Sequence, residues 1–176
     1  MLPLFPVLQP GVTPTWNQPA LLSGKDNELV AATAQGRLYR IGVKNSPRPH
    51  LSVLAETGIE EQLVSPLAVV QSVAYIVARR AEEDVVLAID PVTLAVAQEL
   101  PQGGRVLWGP TVHNDLAVVS LGAKGLVAFN GQKEVAWSAV PPENYRLGFP
   151  LATEKEWFIP TAEGDVLRLD SATGQW

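Results

Sequence analysis

The thirteen residues Gly164-Asp-Val-Leu-Arg-Leu-Asp170-Ser-Ala-Thr173-Gly174-Gln-Trp176 hold a short run of strand type, a turn and a large ring. Alternation and β-branched residues between a Gly and an Asp turn favour a strand over a helix. Asp170 caps its own backbone two residues on, and Gly174 suits a left-handed turn position. Working outward, the same grammar returns upstream. Asp90 and Asn130 stand 80 and 40 residues before Asp170, behind the runs Val85-Val86-Leu87-Ala88-Ile89 and Leu126-Val127-Ala128-Phe129. The run Arg37-Leu38-Tyr39-Arg40-Ile41 is the corresponding piece of a first unit. Ahead of these lie β-rich runs at Glu28 to Thr33, Ala74 to Ala78, Leu116 to Ser120 and Glu156 to Thr161, each after a short polar turn. Every unit opens on a proline: Pro19-Ala20-Leu21, Pro66-Leu67-Ala68, Pro110-Thr111-Val112 and Pro150-Leu151-Ala152.

A further strand is expected at His50 to Ala55, Ala95 to Leu100 and Glu134 to Val140. Leu51 to Gln62 is the stretch with most helical character, but Thr57-Gly58 interrupts it and the neighbouring units carry a strand and loop there. Four antiparallel strands in about 44 residues is the repeat of a propeller blade. The expected fold is therefore all-β, a β-propeller of four four-stranded blades in one domain over residues 1–176. Its repeats are approximately 19–65, 66–109, 110–149 and 150–176, with 1–18 supplying a closing outer strand. The fourth strand ends ten residues before Pro110 and Pro150, and Leu4-Phe5-Pro6-Val7-Leu8 holds nearly that place before Pro19, whereas the last unit reaches Trp176 where its fourth strand should begin. Three closures follow: a small four-bladed ring, half of an eight-bladed homodimer that exchanges terminal strands, or a piece of a longer propeller.

The Gly-strand-Asp-x-x-Thr-Gly pattern followed by Trp176 resembles the blade signature of quinoprotein-type (PQQ-like) β-propellers. Asn130-Gly131 with Trp137, and Asp90-Pro-Val-Thr93, are weaker copies. Leu94 replaces the turn glycine in the second unit, Gln98 holds its Trp position, and Gly42-Val43 replaces the Asp turn in the first. The resemblance implies the non-enzymatic branch of that family, and an exported or membrane-anchored bacterial protein whose export signal lies outside these residues.

Composition narrows the partners. A net charge of −5 argues against nucleic acid or an anionic membrane surface, which reward dense Lys and Arg clusters. Charged residues at 18% with 15 Pro and 14 Gly suit many turns between short apolar runs. No cysteine is present, so disulfides, zinc-thiolate sites and cysteine nucleophiles are excluded. The longest apolar stretch, Leu67 to Ala78, is too short to span a bilayer, so no membrane insertion is expected. Nor do the first residues read as a signal peptide, since no Lys or Arg precedes Lys25.

Chemistry-bearing residues are sparse. His50 and His113 sit in different units without ligand spacing and read as turn or surface residues. No Gly-x-Ser-x-Gly elbow or phosphate loop occurs. Glu60-Glu61 and Glu82-Glu83-Asp84 read as solvated turns, and Arg79-Arg80 beside them as exposed ion pairs. Asp90, Asn130 and Asp170 recur with the blades and read as turn formers. Trp16, Trp108 and Phe149 shortly precede the repeated prolines, which favours packing. In a propeller, however, the loop entering each innermost strand shares a face with the loop between the second and third strands. That would gather Trp16, Trp108, Tyr145 and Arg146 with Arg79, Arg80 and Glu82 around one mouth, a set of residue types that anchors interfaces.

The expected function is a non-catalytic interaction or scaffold module that presents loops to a protein partner, with no cofactor. The alternative is a small-ligand or carbohydrate binder using the aromatic ring of the mouth. A degenerate piece of a quinone-dependent dehydrogenase is a third reading. The family's enzymes commonly carry a vicinal cysteine pair and calcium ligands, and this chain has no cysteine or matching cluster.

Overall fold

In a computed structural model, which describes residues 17, 19–22, 27–143 and 145–176, backbone pairing forms four antiparallel sheets. Blade 1 is β1 (Ala20–Leu21), β2 (Glu28–Ala32), β3 (Arg37–Lys44) and β4 (His50–Gly58) in that order. Blade 2 has β5 (Gln62–Leu63) and β6 (Ala68–Val70), both paired with β7 (Val73–Arg79), then β8 (Asp84–Ile89) and β9 (Val96–Pro101). Blade 3 is β10 (Trp108–His113), β11 (Leu116–Ser120), β12 (Leu126–Phe129) and β13 (Val135–Ala139). Blade 4 holds β14 (Leu151–Ala152), β15 (Glu156–Pro160) and β16 (Val166–Asp170). Apart from one 3-10 turn at Gly122–Lys124, the described residues contain no helix, and the stretch from Leu51 is strand. The expected closing strand at Leu4 to Leu8 and the ring of Trp16 lie outside the described residues.

Burial follows from each strand's place. The faces of β7 and β8 are both covered, so Val73 to Ala78 and Val85 to Ile89 are apolar without alternation and at most 4% exposed. Outermost β9 is mostly exposed and carries Gln98 and Glu99. Val30, Ala32 and Leu38 of blade 1 pack on Ala74, Ile76, Val85 and Leu87 of blade 2. The other face of blade 2, through Tyr75, Val77, Val86 and Ala88, meets Ala117, Val119 and Phe129 of blade 3. Val118, Leu126, Ala128 and Trp137 then meet Trp157, Ile159 and Leu169 of blade 4. Among the described residues no hydrophobic cluster joins blade 4 to blade 1.

The repeated proline marks an interruption of the first strand, since it has no N–H to give the ladder. Leu63 pairs with Ala78, Trp108 with Ser120 and Leu147 with Thr161, each shortly ahead of its proline. The second blade's pairing thus begins at Gln62, ahead of Pro66. In blade 2 the Ser65 hydroxyl accepts the Val77 N–H at 2.8 Å, occupying a donor within the gap.

The Asp/Asn turns do what their periodicity implies. Asp90 Oδ1 accepts the N–H groups of Val92 and Thr93, Asn130 Oδ1 those of Gln132 and Glu134, and Asp170 Oδ1 those of Ala172 and Thr173. Gly174 has φ +69°, and a Cβ there would stand 2.7 Å from the ring of Trp137. The glycine thus serves both the turn and the docking of blade 3's outer strand on blade 4. Leu94 holds the same place in blade 2 at φ +62° and is buried, while in the shorter blade 3 turn Lys133, rather than Gly131, is left-handed at φ +67°.

Candidate interaction surface

At one end of the blades, the segments entering first strands close over the turns between second and third strands. Ile59 and Leu63 donate their N–H groups to the carbonyls of Gly36 and Ala34, at 2.7 and 3.1 Å. Gly36, at φ +84°, has the Ile59 carbonyl oxygen where a Cβ would stand, so only glycine permits this approach.

Between blades 2 and 3 the closure is ionic. Asp84 is fully buried and sits between Arg79, at 3.2 Å from both of its oxygens, and Arg105, at 2.9 Å from Oδ1. The Val106 N–H donates to Oδ2 at 3.0 Å. Burial alone would raise this carboxyl, but the two guanidinium groups and the Val106 N–H outweigh it and hold the group below the usual carboxylate range. Arg105 also donates to the carbonyls of Arg80 and Ala81, both at 2.7 Å, and Glu83 accepts the Gly103 N–H at 2.7 Å. The acidic turn expected to be solvated is therefore partly core, because Arg105, 21 residues on, folds back to neutralise its last carboxylate.

Arg79 is held by Asp84, and Arg80 reaches Glu61 at 2.6 Å and Glu99 at 2.9 Å. Arg146 pairs with Glu163 at 3.4 Å, and a hydrogen bond to Asp165 raises the Tyr145 phenol above its usual value. Trp108 and Tyr145 pack together against the cluster between blades 3 and 4, whereas Arg79 and Arg80 belong to blade 2. Trp16 lies outside the described residues. His113, expected in a turn or on the surface, instead lies edge-on to Trp157 at 5.3 Å, with Nε2 buried. Its burial lowers its pKa, against a hydrogen bond to the Thr153 backbone that raises it.

A cleft of about 230 Å³ lies where blades 2, 3 and 4 meet this surface, lined by Val64, Pro66, Val106, Leu107, Trp108 and Phe149. The Trp108 ring is sandwiched, stacked on buried Trp157 at 6.2 Å and met edge-on by Phe149 at 5.4 Å. Leu107 and Phe149 remain 62% and 65% exposed. An apolar concavity of this size, below the roughly 300 Å³ where small-molecule pockets begin, suits a single apolar side chain. A second cleft of about 350 Å³ at the opposite end is lined by Leu22, Gln71, Asp90, Val92 and Lys133, and there Asp90 is occupied by its own turn. No group of three or more His, Asp or Glu side chains gathers as a metal site would among the described residues, nor is any helix there long and apolar enough to cross a membrane. Sequence reasoning missed Leu107 and Arg105; the available signal was the apolar run Val106-Leu107-Trp108 in an otherwise polar connection.

No family model matches the sequence, and no curated protein aligns with it. Solved structures do resemble the fold. BamB from Moraxella catarrhalis is 17% identical, with a TM-score of 0.56 over 93% of this chain and 50% of its own. BBS1N, solved in complex with ARL6DN, is 19% identical, with a TM-score of 0.60 over 89% of this chain and 52% of its own. The computationally designed Ika4 protein is 10% identical, with a TM-score of 0.58 over 92% of this chain and 94% of its own. The chain thus spans about half the length of the BamB and BBS1N chains that it matches. Four antiparallel blades and these likenesses give the fold as an all-β array of the β-propeller type.

Proposed function

We propose that the chain is a non-catalytic interaction module of quinoprotein-type repeats, which presents the Leu107–Trp108–Phe149 cleft to an apolar side chain of a protein partner. The observation that carries this reading is the exposure of Leu107 and Phe149 beside a sandwiched Trp108, on a rim tied down by the Asp84 clamp. Large rings that are already packed anchor a partner at little cost in entropy. Supporting it by analogy, BBS1N was solved in complex with ARL6DN. A flat sugar would need an open aromatic face, and the stacking of Trp108 on Trp157, with Phe149 at its edge, makes this aromatic group a weaker candidate for that role.

The test is a selection of phage-displayed peptides against the immobilised chain, followed by binding of the selected peptides to Leu107→Ser and Phe149→Ser. Losing one anchor contact of about 1.5 kcal/mol weakens binding about tenfold. The expected result is peptides with a shared apolar residue whose affinity falls at least that far in both variants, with circular dichroism unchanged. Selected peptides that bind both variants as well as the parent would overturn the reading.

A further inference from the structure

The cleft at the opposite end of the blades is larger than the one at Phe149, and three blades build it. Leu22 of blade 1 and Ile89 and Val92 of blade 2 contribute to its apolar lining. Its polar lining includes Gln71 and Ser72, from the turn between β6 and β7, and Lys133, from the turn after β12 in blade 3. At about 350 Å³ it lies within the range of small-molecule sites, which are mostly apolar with a few placed polar groups.

The walls of this cleft are tied to one another. Tyr75 donates its hydroxyl to the Asn130 carbonyl at 2.5 Å, and the Gln71 side chain lies over Gly131, where a Cβ would strike Oε1. These contacts fix the turn of blade 2 against the turn of blade 3. On the other side, Arg40 of blade 1 donates to the Val92 carbonyl at 3.2 Å while its Nε holds Glu28 at 2.7 Å. Gln71 and Lys133 both sit in the left-handed region, at φ +52° and +67°, where glycine would be free of strain. Such strain gathers at ligand clamps, and here two of the cleft's polar side chains carry it.

Charge singles out Lys133. It is half-buried, and among the described residues its ammonium has no hydrogen bond or ion pair. Asp90, the acid that shares the cleft, is satisfied by its own turn. Its Oδ1 accepts the N–H groups of Val92 and Thr93, and the carboxyl titrates below its ordinary value chiefly because of the Thr93 N–H and only in small part because of Lys133. Arg40 is likewise taken up by Glu28. What is left for a ligand is one ammonium, one amide and one hydroxyl beside an apolar surface. Those donors suit the two oxygens of a monoanion, whereas a phosphate dianion would find a single cation with a carboxylate beside it. We propose that this cleft binds a small organic carboxylate with an apolar body, its carboxylate on Lys133, Gln71 and Ser72 and its body against Leu22, Ile89 and Val92. The site is independent of the cleft at Phe149.

Heteronuclear NMR titration of the isotope-labelled chain with hexanoate, hexanol, hexylamine and acetate tests it. Hexanoate should shift the amides of Gln71, Ser72, Val92 and Lys133 and saturate, while the other three bind at least about tenfold more weakly. Lys133→Gln should weaken hexanoate about tenfold, the share of one hydrogen bond to a charged group, and leave the weak binding of hexanol as in the parent. Val92→Ser should weaken hexanoate and hexanol alike. Hexanol that binds as tightly as hexanoate would mean an apolar crevice with no charge requirement and would overturn the proposal. So would hexanoate shifts that fall elsewhere or never saturate, or a Lys133→Gln variant that binds hexanoate as the parent does. The ligand series on the parent decides the question even where a substitution disturbs folding, which circular dichroism would reveal.

Discussion

Asp84 concentrates the electrostatics of the fold in one carboxylate. Its partners keep their side chains 44% exposed, so removing the acid returns two guanidinium groups to water rather than stranding them in the core. Asp84→Ala should therefore cost about 3 kcal/mol, the lower end for a broken buried pair, read as a lower urea midpoint. The pH dependence has a definite sign. The folded carboxyl titrates below its ordinary 3.8, so its stabilisation is present above that value and is lost as pH falls through the folded one. The variant should lose that share of the acid limb and keep the share that the turn carboxylates Asp90 and Asp170, also held below their ordinary value, contribute. His113 acts in the same direction from a different cause. Its folded imidazole titrates below 6.5, so the unfolded chain takes the proton first and stability declines as pH drops beneath about 6.5. His113→Phe, which keeps a ring against Trp157, should flatten the melting temperature between roughly pH 7 and pH 5. A parent whose melting temperature is already flat across that window would contradict this assignment.

At the scale of strands, protection should follow double coverage. Amides of β7 and β8 lie between two blades, whereas β9 is the outermost strand of the same sheet with an exposed side-chain pattern. Hydrogen exchange should be slowest in β7 and β8 and clearly faster in β9. Equal protection across the three strands would mean that blade 2 opens only as a whole. These strands also show what sequence reveals. Leu116 to Ser120 and Leu126 to Phe129 are legible to the residue, since turn chemistry bounds runs that bury one or both faces. Gln62–Leu63 is illegible, because two residues paired only through their backbone carry no periodicity. The site divides the same way. The aromatic-proline junction at Trp108 is a local pattern, but the Asp84–Arg105 clamp joins residues 21 apart that the pairing of β8 with β9, continued by the backbone bonds of Asp84 to Gln102 and Gly104, brings together. The exposure of Leu107 depends on how three blades meet, a property with no local signal.

For the whole molecule, stability should be shared unequally along the arc. A blade covered on both faces is held by two neighbours, while a terminal blade is held by one, as in any array with nearest-neighbour coupling. Blade 4 rests on blade 3 through Trp157, Ile159 and Leu169, and its other face reaches solvent through Leu151 and Val166. Hydrogen exchange should therefore be faster in β15 and β16 than in β7 and β8, and equal protection in the two blades would mean that the array opens only as a whole.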